Sequence, residues 1–438
     1  VKRLEVHWSG RQFQTEHGEP FFYLGDTAWE LIHRLKEAEV HYFLDRLAGQ
    51  GFNVGQTVGV PGINGLTTPN AYGDLPFIDG DPAQPNDRYF DWVEWVVDQA
   101  AKRKMYVGLL PTWGSYAVEE NHALFPNPCV FNPDNALAYG RYLSGRFWRK
   151  PNIIWILGGD REPDSCLETW RAMALGLNAR GNGQLVTYHP SGGQSSSRLL
   201  HTEDWLSFNL FQSGHSSLSH PDQQAFDDIG REPAKPVING EPSYEAAPNT
   251  SSRHGEKLDD AEVRRCLYAS VFSGACGFTY GCNEVWMMWE PRYEPIAAVV
   301  NPPFLDAELP WYEALDRPGA WQMSAMVEIW QLPRIFEAMP QFSRIKNNEG
   351  IYAFGHDAWT IVWTPGRTVV FHDPPAGRAL WVSPRNGAKQ QALMPFNPPD
   401  ERDWILFVSN LVGGEEGAEP VPMPRFGQYQ NDWDRAYV

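Results

Sequence analysis

The sequence predicts an α/β protein, a (β/α)8 TIM barrel followed by a small C-terminal antiparallel β-sandwich. Two observations carry this expectation. Between Phe21 and Thr279, eight short runs of β-branched and aromatic residues alternate with helical patterns, the rhythm of a parallel sheet buried on both faces. Eight is also the strand number that closes such a barrel. From Ile345 onward the chain shifts to period-two alternation between Pro, Gly and Asn turns, which reads as antiparallel structure. A doubly wound open sheet is the alternative for the first part, but no Gly-rich phosphate fingerprint follows the first run.

The runs, in order, are "FFYLGD" (Phe21–Asp26), "FNVGQTVGV" (Phe52–Val60), "MYVGLLPTW" (Met105–Trp113), "IIWILGGD" (Ile153–Asp160), "LVTYHP" (Leu185–Pro190), "WLSFNLFQ" (Trp205–Gln212), "PVINGEP" (Pro236–Pro242) and "CGFTYG" (Cys276–Gly281). Each is closed by Gly, Pro or a polar residue, as a buried strand should be. Between them, "DWVEWVVDQAAKRK" places Trp92, Trp95, Val96 and Gln99 on one helical stripe, with basic residues in its last turn. "DNALAYGRYLSGRFWRK" and "DDAEVRRCLYASVFSGA" behave alike, each opening on an Asp near the N-cap. A Trp- and Pro-rich connection follows, including the helical "ALDRPGAWQMSAMVEIWQL". The expected domains are therefore 1–340, the barrel, and 345–438, the sandwich.

Composition narrows the function. A formal charge of −18 and a pI near 5.1 argue against nucleic acid or an anionic membrane as partner. No apolar run reaches the roughly 20 residues of a membrane span. The five cysteines form no CxxC pair, which fits reduced thiols and a cytoplasmic location; secretion or periplasmic export would require a leader removed before Val1. The chain carries 19 Trp, which suits sugar rings stacking on indole as well as it suits an aromatic core.

In a (β/α)8 barrel the C-terminal strand ends share one mouth, where the active site forms. Strand four ends in Asp160 and strand seven in Glu241, so these two carboxylates would face each other across it. Opposed acids are the machinery of glycoside hydrolysis, one protonating the leaving oxygen and the other attacking the anomeric carbon. Asp160 could instead cap the next helix, but Asp164 is better placed for that. Glu241 precedes Pro242, which biases it to extended backbone at a strand tip. Expected sugar contacts are Asp26, Trp29, Gln56, Trp113, His189, Asn209, Gln212, His215, Tyr244 and Tyr280, with Trp29 and Trp113 as stacking walls. Glu30, Glu162, Glu245 and Glu284 compete for the acid roles, Glu162 against Asp160 and Glu245 against Glu241.

Here the residues become familiar. "FFYLGDTAWEL", "TPNAYGDLPF", "YVGLLPTWG", "WILGGDRE" and "INGEPSYE", in this order, resemble the apiosidase-like glycoside hydrolases (domain of unknown function 4038, overlapping glycoside hydrolase family 140). The tail "LWVSPRNGAKQQAL…DWILFV" resembles the small β-domain attached to that family under a collagen-binding label; a support packed on the barrel is the expected role. The resemblance implies a retaining mechanism, with Asp160 as acid/base and Glu241 as nucleophile, and no metal or cofactor. It also implies a furanose-type sugar, such as apiose or arabinofuranose, removed from a plant glycan of the pectin type. The loops "VPGINGLTTPNAYGDLPFIDGDPAQPNDRYF" after strand two and "PSGGQSSSRLLHTEDW" after strand five are expected to shape a pocket, which favours a terminal sugar. The wider clan carries Asn-Glu where this chain has Gly159-Asp160, and the shorter Asp would sit further back.

Two other classes remain at this point. A metal-dependent barrel hydrolase would want an HxH pair after strand one, and the chain has none anywhere. A non-catalytic carbohydrate-binding barrel would keep the Trp residues and the cleft. No oligomeric state is indicated.

Overall fold

The computed structural model describes residues 1–119, 127–293, 306–375 and 377–409. It opens with a three-stranded antiparallel meander, β1 (Leu4–Val6), β2 (Phe13–Thr15) and β3 (Pro20–Phe21). This element was not expected from sequence, because each strand is only two or three residues long. It packs under the barrel at the strand starts. Phe13 meets Phe208 edge-on, Phe21 meets Tyr106, and the Tyr106 hydroxyl donates to Lys2 O at 2.6 Å.

Eight parallel strands follow: β4 (Tyr23–Thr27), β5 (Val54–Val58), β6 (Tyr106–Leu110), β7 (Ile153–Gly158), β8 (Val186–His189), β9 (Asn209–Phe211), β10 (Val237–Asn239) and β11 (Gly277–Tyr280). Every residue in them is buried, which is why the runs read as continuous apolar stretches rather than alternations. The ladder order is β8-β7-β6-β5-β4-β11-β10-β9, a nearly closed barrel. At the seam between β8 and β9, Ser207 N donates to Val186 O and Thr187 Oγ1 to Phe208 O.

Three of the longer helices begin at side-chain caps. Asn86 accepts from Arg88 N ahead of Asp87–Lys102, Asn132 from Asp134 N and Asn135 N ahead of Pro133–Phe147, and Asp259 from Glu262 N ahead of Asp260–Phe272. Two of the three caps are Asn rather than Asp, Asn132 just ahead of its quoted stretch and Asn86 more than a turn before its own. Asp87–Lys102 buries Tyr89, Phe90, Val93, Val96, Val97 and Ala100. Of the expected stripe, Val96 and Gln99 are buried, whereas Trp92 and Trp95 are only half-buried and stack on each other at 4.7 Å. The stretch expected as helical near residue 320 holds two short helices, Pro318–Gln322 and Ala325–Ile329, after a third, Trp311–Ala314, that ends where the stretch begins. Pro318 accounts for the first break, since it cannot continue a helix.

The C-terminal part is a six-stranded antiparallel sheet in the order β12-β13-β14-β17-β15-β16. Its strands are β12 (Met339–Pro340), β13 (Tyr352–His356), β14 (Trp359–Thr364), β15 (Arg378–Val382), β16 (Lys389–Gln391) and β17 (Trp404–Ser409). β12 pairs with β13, so the sheet takes its first strand from before Ile345. Residues 410–438 of the expected sandwich lie outside the described residues. Alternation along β13 and β14 splits the side chains between two cores. Tyr352, Phe354, Ile361 and Trp363 join the barrel core, whereas Ala353 and Val362 join a second cluster with Phe371 and Phe396. The barrel face is aromatic, with Phe272 against Phe354 and Tyr268 against Trp363. Arg264 spans it, giving Nε and Nη2 to the Asp403 carboxylate at 2.8 and 3.0 Å.

Candidate active site

The turn after β7 is built from three consecutive residues with positive φ: Gly158 (82°), Gly159 (118°) and Asp160 (54°). Only glycine takes the first two without strain. A Cβ on Gly158 would meet His189 O at 2.5 Å, and one on Gly159 would stand 2.9 Å from Gly114 N and the Trp113 ring. The sharp turn leaves Asp160 at the mouth with its side chain 29% exposed. It is no helix cap. The following helix, Leu167–Leu177, starts after Cys166 without a side-chain cap, and Asp164, the expected cap, pairs instead with Arg198 at 2.8 Å.

Opposite it, β10 runs into Gly240-Glu241-Pro242. Gly240 N donates to Phe211 O, Gly240 O accepts from Gln56 Nε2, and Gly214 N donates to Glu241 O, so the backbone under Glu241 is tied on both sides. Two imidazoles grip its carboxyl. His189 Nε2 lies 3.1 Å from Oε2, and His215 Nε2 lies 3.3 Å from Oε1. On the far side of His189, Asp160 N–H donates to Nδ1 at 3.4 Å. Gln212 Nε2 donates to Asp160 Oδ1 at 3.1 Å, and Arg161 Nη1 to Asp160 O at 2.8 Å.

These surroundings drive the two acids apart. Burial, and then the charge of Glu241, push Asp160 up to about 6. Burial would also raise Glu241, but the contacts from His189 and His215 hold it well below the usual carboxylate range. His189 is opposed by its own burial, yet the two carboxylates raise it above an ordinary histidine. One acid is therefore protonated where the other is ionised, the division of labour that acid and nucleophile need.

A cavity of about 410 Å³ opens over the pair. Of the expected contacts, Trp29, Trp113, Gln212, His215 and Tyr244 line it together with Asp160 and Glu241. Trp29 and Trp113 meet edge-to-face at 5.3 Å. Tyr244 packs over His215 at 4.3 Å, in space that Gly281 leaves open, since a Cβ there would touch the Tyr244 ring at 2.1 Å.

The other five expected contacts do not line the cavity. His189 is wholly buried behind the acids. Gln56 is spent inside the barrel, accepting from the Tyr23 hydroxyl and donating to Gly240 O. Asn209 turns to the His201 ring at 3.1 Å. Tyr280 donates its hydroxyl to Glu245 at 2.6 Å. Asp26 is fully buried, and burial raises its pKa well above the usual value. The competing acids are engaged elsewhere: Glu30 with His33, Glu162 with Arg198, Glu245 with Tyr280 and Gly319 N, and Glu284 with Arg317.

The loop after β8 lines the cavity through Ser191–Gly193, as expected, and the lining also holds residues that sequence reasoning missed, among them Arg161, Thr250, Asn283 and Trp286. Arg161 sits inside the quoted "GGDRE" and was legible there. Asn283 and Trp286 lie just past the eighth strand in "GCNEVW", where the same test of strand ends would have reached them.

Asp160, His189 and Glu241 each bring one donor atom within 4.8 Å of the others, a set that could hold a cation. Both ring nitrogens of His189 already face protein groups, Asp160 N and Glu241, so a metal would have to displace those contacts.

A barrel whose mouth carries two environmentally divided carboxylates, walled by Trp, defines a glycoside hydrolase. Comparison with known proteins agrees. The apiosidase-like catalytic domain matches residues 7–337, and the chain belongs to that family. Its fold is similar to a glycoside hydrolase family 5 structure from Bacteroides vulgatus, at 27% identity over 96% of this chain and 97% of that one, with a TM-score of 0.81. Another solved glycoside hydrolase matches at 28% identity over 94% and 98%, also with a TM-score of 0.81. A family 5 mannosidase from Rhizomucor miehei shares the fold alone, at 10% identity over 75% and 98%, TM-score 0.51. No protein with a curated description matches the chain. Among the described residues, no helix is long and apolar enough to cross a membrane.

Proposed function

We propose that this glycoside hydrolase removes a terminal, furanose-type sugar such as apiose or arabinofuranose from a plant glycan, with retention of anomeric configuration. Glu241 attacks the anomeric carbon while Asp160 protonates the departing oxygen. Asp160, now ionised, then takes a proton from water that displaces the sugar from Glu241. The observation that carries this reading is the spacing of the acids. One donor atom of each, with one of His189, lies within 4.8 Å of the others, a close approach that favours the about 5–5.5 Å carboxyl separation of retaining enzymes over the roughly 6.5–9.5 Å of inverting ones.

Single-residue action is supported by the walls around the acids. Ser191–Gly193 after β8 and Ser213–Ser216 after β9 both line the cavity, giving a pocket in which a chain end fits. The furanose preference comes from the family alone.

The test is sugar release from a panel of plant polysaccharides and 4-nitrophenyl furanosides and pyranosides, with Glu241→Gln in parallel and the first-formed anomer read by proton NMR. Wild-type release of the retained anomer, with the variant at least about a thousandfold slower, is expected. First appearance of the inverted anomer would overturn retention, and an active variant would overturn the role of Glu241.

A further inference from the structure

We propose that Asn283 selects the sugar, its side-chain amide reading two hydroxyls on adjacent ring carbons of the residue held over Asp160 and Glu241. This rests on the reading of that cavity as the glycoside site. The substrate class it adds is a neutral sugar with a vicinal diol on the face turned to Asn283.

Asn283 lines the cavity and is 0% exposed, yet neither Oδ1 nor Nδ2 has a hydrogen-bond partner among the described residues. A buried amide with both polar atoms unpaired is destabilising at each of them. Such a group is not explained by folding.

Its backbone shows the opposite. Asn283 N donates to Glu245 O at 2.9 Å, and Val285 N and Trp286 N both donate to Cys282 O at 3.1 Å. The next residue, Glu284, is wholly buried and takes Arg317 Nη2 at 2.6 Å. The main chain is held still, while the unpaired amide head stands buried in the cavity wall. Three residues on, Trp286 lines the same cavity, which sets an indole close to an amide.

An amide offers one acceptor and one donor group side by side in a plane, and two hydroxyls on neighbouring carbons offer the complement. Gln212 provides the contrast. One N–H of its Nε2 is committed to Asp160, which ties that amide to the acid rather than leaving the whole head for a diol. Asn283 carries no charge, so it favours hydroxyls over a carboxylate.

The experiment takes the best 4-nitrophenyl glycoside of the panel and its two mono-deoxy analogues, each lacking one hydroxyl of the diol. Wild type, Asn283→Ala and Asn283→Leu are compared for kcat/KM and Tm. Leu keeps the shape of Asn and removes both polar atoms. On the parent glycoside, kcat/KM should fall about 100-fold in either variant. On each deoxy analogue, where one of the two contacts is already gone, the variants should fall below wild type by only about tenfold. Tm of Asn283→Leu should equal or exceed that of wild type, because an unpaired buried amide is gone.

An equal loss on parent and deoxy analogues, no loss at all, or a lower Tm of Asn283→Leu with a uniform loss would overturn the proposal. Failure of the underlying reading looks different: Glu241→Gln would then hydrolyse the panel at wild-type rates, or wild type would hydrolyse none of it.

Discussion

His189 joins the two acids of the site, with Nε2 3.1 Å from Glu241 and Nδ1 3.4 Å from the backbone nitrogen of Asp160. It is 0% exposed and does not line the cavity, so it acts on the substrate only through its neighbours. It is a positioning residue.

The consequence is a shift in the pH profile. His189 is one of the two groups that hold Glu241 low. In His189→Asn the Glu241 carboxyl should titrate closer to an ordinary glutamate, so the acidic limb of kcat/KM moves to higher pH. KM at the optimum should hold within about threefold, since no sugar contact is lost. A purely structural role would lower Tm and leave the limb in place.

Asp160 sets the other limb. It donates a proton, and with its pKa near 6 the rate should decline as pH rises beyond that value. Asp160→Asn should lower kcat by about 10² to 10⁴ on glycosides with poor leaving groups and should abolish the alkaline limb. Good leaving groups, which need no proton, should lose much less in the first step.

The same group carries a stability cost. Its folded pKa lies above the unfolded value, so the folded state loses stability as pH climbs from about 4 to 6, and Asp160 disfavours folding at neutrality. Asp160→Asn should therefore raise stability at pH 7 by about 1–3 kcal/mol, with the gain vanishing below pH ~4. Urea denaturation at pH 3.5 and pH 7 reads this directly; an equal change at both would mean that burial of the charge is not the cause.

How much of this was legible follows from what each signal encodes. Burial on both faces wrote β4 to β11 into the sequence as apolar runs, and their ends led to Asp160 and Glu241. Sequence order does not say which side of a strand end faces the mouth. Asn209 and Tyr280 sit on barrel strands but turn to His201 and Glu245. The meander β1–β3 was invisible because two- and three-residue strands are too short to show a period. The turn at Gly158–Asp160 was half legible: paired glycines announce a sharp turn, but the positive φ of Asp160 has no sequence signature.

That turn makes Gly159 a sensitive position. Alanine would have to adopt φ of 118° with its Cβ 2.9 Å from Gly114 N and the Trp113 ring. Backbone strain of this kind costs on the order of 1–3 kcal/mol, and relief by moving the turn would carry Asp160 away from Glu241. Gly159→Ala should lose Tm and at least about tenfold in kcat while still binding sugar, as a crystal or calorimetric titration would report. Wild-type kcat in the variant would show that the turn does not set the position of Asp160.

The second domain enters through Arg264. Its guanidinium is 3% exposed and forks onto Asp403 at 2.8 and 3.0 Å while also reaching Gln322 Oε1 at 2.6 Å. Removing one member of a buried pair leaves the other uncompensated and costs about 3–5 kcal/mol, and Arg385, 2.9 Å from Asp403, would offset part of that. Arg264→Met should thus destabilise by about 2–3 kcal/mol, read in a urea titration of the full chain. The helix that carries Arg264, Asp260–Phe272, leads directly into β11, whose end positions Asn283 and Trp286. Loosening the sheet should therefore raise KM as well as lower Tm. A variant that unfolds more easily but binds and turns over substrate as wild type does below its Tm would confine the second domain to support of the barrel.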